Sequence, residues 1–333
     1  MIEMEQRAAG ALNGVAIADA LGSATTFMSH KRIVKLFGKV VDFIDPKLST
    51  VHESLARGSF TDDTELTIVL ANSILECGRV SSECFARALV SWAREKNILE
   101  TTIIGPSTRR AILKLMSGER IDKAGSGGTT NGCAMRISPV AIFDVGSSIE
   151  DTKRDVEEAC LPTHCTFIAI AGASAVCVAT KRAIEGERSV MRIVDSAVDA
   201  SMNPECSRCG GHRQRLHLRI EHALRIAEAA DCDENLLTSL YSFMKGKRKA
   251  LTEDAVPVAM AIFYYARGDF NRSALLSANL GGDCDTIGAI AGAMSGAYSG
   301  ICRIRKEWIK TVRLVSSVDL TRLAGALLHA KGN

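Results

Sequence analysis

Asp285-Thr286-Ile287-Gly288-Ala289-Ile290-Ala291-Gly292-Ala293-Met294-Ser295-Gly296-Ala297-Tyr298-Ser299-Gly300 carries a glycine at every fourth position from 288 onward. The same spacing stands near the N-terminus at Gly10, Gly14, Ala18 and Gly22. Each internal glycine costs a helix about 0.8–1 kcal/mol relative to alanine, so a run of them needs an offsetting gain. Residues four apart form one ridge of a helix, and a ridge without side chains lets a second helix backbone approach closely. The two stretches are therefore expected to pack on one another or on common neighbours. That packing would bring Asp19 and the acidic cluster at 283–285 toward one central point.

Helical periodicity extends outward from these ridges over the whole chain. It predicts helices over 4–22, 30–37, 62–78, 82–95, 106–117, 132–143, 151–160, 164–185, 190–200, 216–229, 234–245, 252–268, 271–279, 285–300, 306–311 and 317–331. No Pro/Ser-rich linker, low-complexity tract or tandem repeat interrupts them, so 1–333 reads as one all-α domain, with surface loops at 201–215 and 245–250. A 333-residue chain that is 47% apolar is ample for a core, and 5% aromatic with 6 Pro argues against a fold of short strands. The net charge, 41 − 38 = +3, is too small for a nucleic-acid protein or a polybasic membrane binder.

The N-terminal MIEMEQRAAG lacks the basic and apolar regions of a secretion signal, which suggests a cytoplasmic protein. The longest apolar stretches, 167–179 and 287–297, are shorter than the ~20 residues that cross a bilayer, so no transmembrane segment is expected. The 11 cysteines are read as mostly small buried thiols, with no disulfide needed for folding.

Two segments carry chemistry. Gly58-Ser59-Phe60-Thr61-Asp62-Asp63-Thr64-Glu65 and Gly281-Gly282-Asp283-Cys284-Asp285-Thr286 each lead into an apolar helix. Either alone reads as an N-cap, with acidic residues placed favourably against the helix dipole. Together they offer four carboxylates and hydroxyls, a hard-oxygen set suited to Mg²⁺ or Mn²⁺, with room for two ions; clustered without a cation, such carboxylates would raise one another's pKa. Cys284 is expected to turn away from such ions.

These motifs, with others in the same order, resemble the ADP-ribosylglycohydrolase family. Gly14-Val-Ala-Ile-Ala18-Asp19-Ala20-Leu21-Gly22 is similar to its G-x-x-x-G-D-A-x-G segment, Phe60-Thr61-Asp62-Asp63-Thr64 to W-T-D-D-T, and Asn131-Gly132-Cys133-Ala134-Met135-Arg136 to N-G-A-A-M-R. Thr163-His164, Val256-Pro257 and the segment 281–286 complete the set. The resemblance implies an all-α orthogonal multi-helix bundle and a dinuclear Mg²⁺ or Mn²⁺ site held by Thr61, Asp62, Asp63, Asp283, Asp285 and Thr286. It also implies hydrolysis at the anomeric carbon of an ADP-ribosyl group borne by a protein or a small ribosyl compound. Asp63 or Asp285 would orient or deprotonate the water. Asp19, Ser126, Gly127, Asn131, Gly132, Met135 and His164 are the expected substrate-binding residues, the Gly125-Ser126-Gly127-Gly128 loop being suited to phosphate or ribose oxygens.

One departure matters. Many members carry a Glu four residues after the glycine that aligns with Gly22, and here Thr26 stands in that place. A hydroxyl can ligate a cation but cannot serve as a general base near neutral pH. Glu53, Glu65 or Asp19 would then take the role, or the chain is a binding relative with weakened chemistry. Phe60 is expected to keep an aromatic wall. Cys206-Ser-Arg-Cys209, followed by His212 and His217, has zinc-knuckle spacing but reads as a basic surface loop, as does Lys245-Gly-Lys-Arg-Lys249.

Overall fold

A computed structural model of the protein describes residues 2–49, 51–101, 103–209, 215–246 and 249–332. In chain order the helices are α1 (Met4–Gly22), α2 (His30–Phe37), α3 (Asp62–Cys77), α4 (Ser82–Glu95), α5 (Pro106–Met116), α6 (Ile121–Ala124), α7 (Gly132–Met135), α8 (Ser138–Phe143), α9 (Ile149–Cys160), α10 (Phe167–Ile184), α11 (Val190–Met202), α12 (Leu216–Ala229), α13 (Asp233–Phe243), α14 (Thr252–Tyr265), α15 (Phe270–Leu280), α16 (Cys284–Ser299), α17 (Lys306–Ser316) and α18 (Leu320–His329). Among the described residues there is no strand, only two isolated bridges, Ser126 with Cys165 and Thr130 with Leu251.

The glycine ridges explain the centre of this all-α bundle. α1 lies along α16 for its whole length. A Cβ added at Gly22 would sit 2.5 Å from the Cys284 carbonyl oxygen, and one at Gly288 would sit 2.7 Å from that of Ala18. At Gly10, Gly14, Gly292 and Gly296 the facing carbonyl is closer still, Gly10 opposing Gly296 and Gly14 opposing Gly292. Around this pair α10 and α14 are buried on nearly every side, whereas α4 is amphipathic and buries Phe85, Leu89 and Trp92 on one face. One large cluster of buried apolar side chains runs from Ala8 to Leu327, beside a small separate one of Val15, Ala289 and Ala293.

Three expectations need correction. The helix foreseen at 132–143 breaks after Met135 and restarts at Ser138, because Pro139 lacks an N–H and fits only the first turn of a helix. α10 is 18 residues of sufficient hydropathy to cross a membrane, longer than the apolar run read from the sequence, yet 94% of it is buried in the core. Two disulfides form. Cys77 ends α3 and meets Cys84 across the short turn into α4, and Cys165 meets Cys209 of the 201–215 loop. Cys209 is thus committed to a partner far away in sequence. His217 lies in α12, and His212 falls outside the described residues.

Candidate active site

The C-terminus of α1 and the N-termini of α3 and α16 meet at one place. Asp19, in the last turn of α1, accepts hydrogen bonds from the Thr61 amide (3.0 Å) and hydroxyl (2.9 Å) and from the Thr64 hydroxyl (2.6 Å) and amide (3.2 Å). These four bonds tie α1 to the first turn of α3, leaving the Asp62 and Asp63 side chains to face a cavity. Opposite them, Gly281 and Gly282 take φ values of 90° and 78°, a left-handed turn that side chains resist, and this turn delivers Asp283 and Asp285 to the start of α16. Both acidic pairs stand at helix N-termini, where the dipole favours negative charge.

The cavity is about 530 Å³. Its floor is Asp62, Asp63, Asp283, Asp285 and Thr286; Thr130, Asn131, Gly132 and Met135 form one wall, Phe27, His52 and Ile104 another, and Lys249, Ala250 and Leu251 the rim. The Asn131 amide donates to Asp283 Oδ2 at 2.6 Å. His52 Nε2 lies 3.0 Å from Asp285 Oδ2, while Asp285 Oδ1 accepts from the Thr286 amide at 2.9 Å. Asp63 Oδ2 accepts from the Thr61 hydroxyl at 2.9 Å. Among the described residues, Asp63 Oδ1 and His52 Nδ1 are buried without a hydrogen-bond partner.

Burial, and then the charge of Asp285, pushes Asp19 and Asp62 each up to about 7. Burial and the neighbouring carboxylates hold Asp63 and Asp283 well above the usual range. Burial alone would raise Asp285 as well, but the hydrogen bond and charge of His52 outweigh it and keep that carboxyl low. His52 is correspondingly raised, because Asp285 overcomes the desolvation of the imidazolium. An acid whose folded pKa lies above its unfolded value holds a proton in the folded state that the unfolded chain has released. From about 4 to about 7, the folded protein therefore binds more protons at Asp19 and Asp62, and its stability falls as pH rises through that window. Thermal melts of the chelator-treated protein are expected to show this fall, reduced in Asp62→Asn. A melting temperature that climbs across the window would contradict it.

The donors suit a hard divalent cation: four carboxylates and the Thr286 hydroxyl are all oxygen, and the open Asp63 Oδ1 is a buried acceptor with nothing to accept from. Among the described residues, no three His, Cys, Asp or Glu side chains already stand in a ligating group, so these carboxylates would hold an ion only by drawing together. Thr61 points its hydroxyl at Asp19 and Asp63 and does not line the cavity. Cys284 is turned away, fully buried and pushed by that burial up to about 12.

Of the expected substrate-binding residues, Asn131, Gly132 and Met135 line the cavity and four do not. Asp19 spends its oxygens on α3. Ser126 is exposed, with its hydroxyl on the Lys123 carbonyl, and Gly127 offers its carbonyl outward to Arg110. His164 is fully buried behind Gly132, where its Nε2 meets the Thr130 hydroxyl at 2.9 Å and its Nδ1 the Thr163 hydroxyl at 2.7 Å. Burial and then Arg136 and Arg110 hold it well below its ordinary pKa, so it is a neutral support for Thr130.

None of the three acids expected to replace the missing Glu lines the cavity. Glu53 is exposed, Glu65 accepts from the Trp92 indole at 2.9 Å, and Asp19 is enclosed. Phe60 joins Glu65 and Trp92 in a separate cavity of about 590 Å³ that shares no lining residue with the carboxylate site. Phe27 supplies the aromatic wall instead. Thr26 accepts from the Asp285 amide at 3.1 Å and so caps α16. The residue that the sequence reading missed is His52. Its only signal was a histidine in the irregular stretch ahead of the Thr-Asp-Asp segment.

The fold and the cavity define an all-α protein with an acidic pocket between the starts of two helices. The chain belongs to the ADP-ribosylglycohydrolase family, whose sequence profile matches residues 2–333. It is 33% identical over 97% of its length to the Escherichia coli K12 protein YegU, covering 96% of that chain. It is 23% identical to the ADP-ribosyl-[dinitrogen reductase] glycohydrolase of Rhodospirillum rubrum, over 99% of this chain and 98% of that one. A solved structure titled ADP-ribosylglycohydrolase-related protein complex superposes with a TM-score of 0.72 at 24% identity, covering 99% of both chains, and shares the fold.

Proposed function

We propose that the protein is a divalent-cation-dependent hydrolase that cleaves the glycosidic bond of an ADP-ribosyl group, releasing ADP-ribose from a modified protein. The observation that carries this reading is the carboxylate floor with its open Asp63 oxygen, in a cavity deep enough for a ribosyl group. The family and the named activity of the Rhodospirillum rubrum relative support it.

Asp62, Asp63, Asp283, Asp285 and Thr286 would hold Mg²⁺ or Mn²⁺, two ions being the expected number. When bound, such ions orient ribose hydroxyls and acidify a water. The chain's own residues do the rest. Asn131 fixes the Asp283 carboxylate, and His52 and the Thr286 amide occupy both oxygens of Asp285, making it an anchored, ionised group. Asp63 keeps a buried oxygen without a described hydrogen-bond partner, which favours it as the acceptor for the proton of the attacking water. Met135, Phe27 and Ile104 supply apolar walls that keep bulk water from the anomeric carbon.

The test is release of ADP-ribose from arginine- and serine-modified proteins, with Mg²⁺ or Mn²⁺ and with chelator. Turnover that the chelator stops is the expected result. Loss of turnover on every ADP-ribosyl substrate, with no thermal shift from metal, would remove the reading. A cation at a hundred times its Kd should stabilise the fold by about 2.7 kcal/mol, read as a raised melting temperature.

A further inference from the structure

The disulfide between Cys77 and Cys84 joins two sulfurs in opposite electrostatic settings. Cys77 is the last residue of α3, whereas Cys84 lies in the first turn of α4, where its amide donates to the Ser81 hydroxyl at 3.4 Å. A helix carries partial negative charge at its C-terminus and partial positive charge at its N-terminus. A thiolate is therefore disfavoured at Cys77 and favoured at Cys84.

A cationic side chain reinforces this asymmetry. The Arg87 guanidinium, one turn further along α4, donates to Cys84 Sγ at 3.4 Å and stands 4.0 Å from Cys77 Sγ. Glu83, the acid beside Cys84, accepts from the Ser81 hydroxyl at 2.8 Å. Both cystine residues are half-buried, within reach of a small reagent, whereas Cys133, Cys160, Cys177 and Cys284 are enclosed.

In thiol–disulfide exchange an incoming thiolate bonds to one sulfur while the S–S electron pair leaves on the other, and the better-stabilised thiolate leaves faster. Helix ends and Arg87 together decide which sulfur that is. We infer that the Cys77–Cys84 pair is a site of exchange with small thiols of the glutathione type: the incoming sulfur bonds to Cys77, and Cys84 departs as the thiolate held by Arg87 and the start of α4. A second small thiolate then attacks its own kind in the mixed disulfide, and Cys77 leaves and takes up a proton. Over the two steps, two small thiols become one small disulfide, and their two electrons and two protons reduce the cystine. The link spans a separation of only 7 residues, and Phe85, Leu89 and Trp92 still bury one face of α4 without it, so the fold is expected to survive its opening. The exchange site is separate from the carboxylate cavity, and its test does not bear on the proposed hydrolysis.

The experiment treats the full chain, purified without reductant, with limiting glutathione near neutral pH, quenches into excess N-ethylmaleimide and maps the adducts by mass spectrometry. Wild type, Arg87→Gln and Arg87→Lys are compared at low and raised salt. Glutathione on Cys77 with maleimide on Cys84 is expected to exceed the reverse pattern about fivefold or more at low salt. Arg87→Gln should cut that ratio by about threefold, and raised salt should also lower it because Arg87 is exposed. Arg87→Lys should keep most of it. Circular dichroism of the reduced protein checks that the ratio is read on a folded chain. A wild-type ratio near one, or the reverse pattern in excess, would overturn the assignment of Cys84 as the leaving sulfur. A wild-type ratio in Arg87→Gln would overturn the role of Arg87. Maleimide on both cysteines before any glutathione is added would remove the disulfide, and the inference with it.

Discussion

Asp63→Asn is expected to lower ADP-ribosyl hydrolysis by at least about a hundredfold without lowering the melting temperature of the metal-free protein. The substitution keeps size and the Thr61 hydrogen bond while removing the charge and the proton-accepting oxygen. Asp63 Oδ1 is buried and has no described hydrogen-bond partner, so the loss should fall on chemistry. Its carboxyl is already disfavoured in ionised form by burial, Asp19 and Asp285, so removing the charge should relieve the fold. The comparison that makes the result specific is Asp285→Asn. There His52 Nε2 loses its ionised partner within a site only a few per cent exposed, and stability should drop along with activity. Hydrolysis rates and chelator-treated melts of the two variants separate the roles. Retention of wild-type turnover by Asp63→Asn would place the proton acceptor elsewhere.

Why the floor was legible in the sequence and the walls were not follows from the kind of signal each leaves. Thr61 to Asp63 and Asp283 to Thr286 sit at helix starts, where capping chemistry marks both the residue types and the boundary, and the glycine ridges reported which helices meet. Met4–Gly22, His30–Phe37, Ser82–Glu95 and Leu216–Ala229 coincide with the ranges that periodicity predicts. Periodicity says nothing of direction within a buried helix. Asp19 lies on a segment that is buried from Arg7 to Gly22, so its turn toward α3 rather than the cavity could be learned only from its four hydrogen bonds. His52 belongs to irregular chain, where no repeat marks an inward side. His164 was assigned by resemblance and Ser126 from its Gly/Ser loop, and here His164 is buried behind Gly132 while Ser126, bridged to Cys165, is exposed outside the cavity. Lys249 read as solvated charge because nothing in a run of basic residues marks which of them meets a cavity.

The same substitution, glycine to alanine in a helix, is expected to have opposite signs at two positions of this molecule. Alanine is favoured over glycine in a helix interior by about 0.8–1 kcal/mol. At Gly325, in α18, a new Cβ meets nothing within 4 Å, so Gly325→Ala should stabilise by up to that amount. At Gly14 the Cβ would be driven into the Gly292 carbonyl, with the Gly292 carbon at 3.0 Å and the Gly296 Cα at 3.2 Å. These are backbone atoms of a buried helix, and no rotamer change can move them aside. α1 and α16 would have to separate along their length, breaking the contact that also sets Asp19 under α3 and Gly22 against Cys284. Overpacking of a tight core costs about 1–3 kcal/mol when side chains can shift, and a backbone clash of this kind belongs above that range. Gly14→Ala is therefore expected to lose more than about 3 kcal/mol, against a total stability of about 5–15 kcal/mol, and to yield little folded protein. Urea melts of Gly325→Ala, Gly288→Ala and Gly14→Ala should rank in that order of decreasing stability, Gly288 being intermediate because its nearest carbonyl lies at 2.7 Å. If Gly14→Ala proved as stable as Gly325→Ala, the close packing of the two ridges would be wrong, and with it the geometry that brings the four carboxylates together.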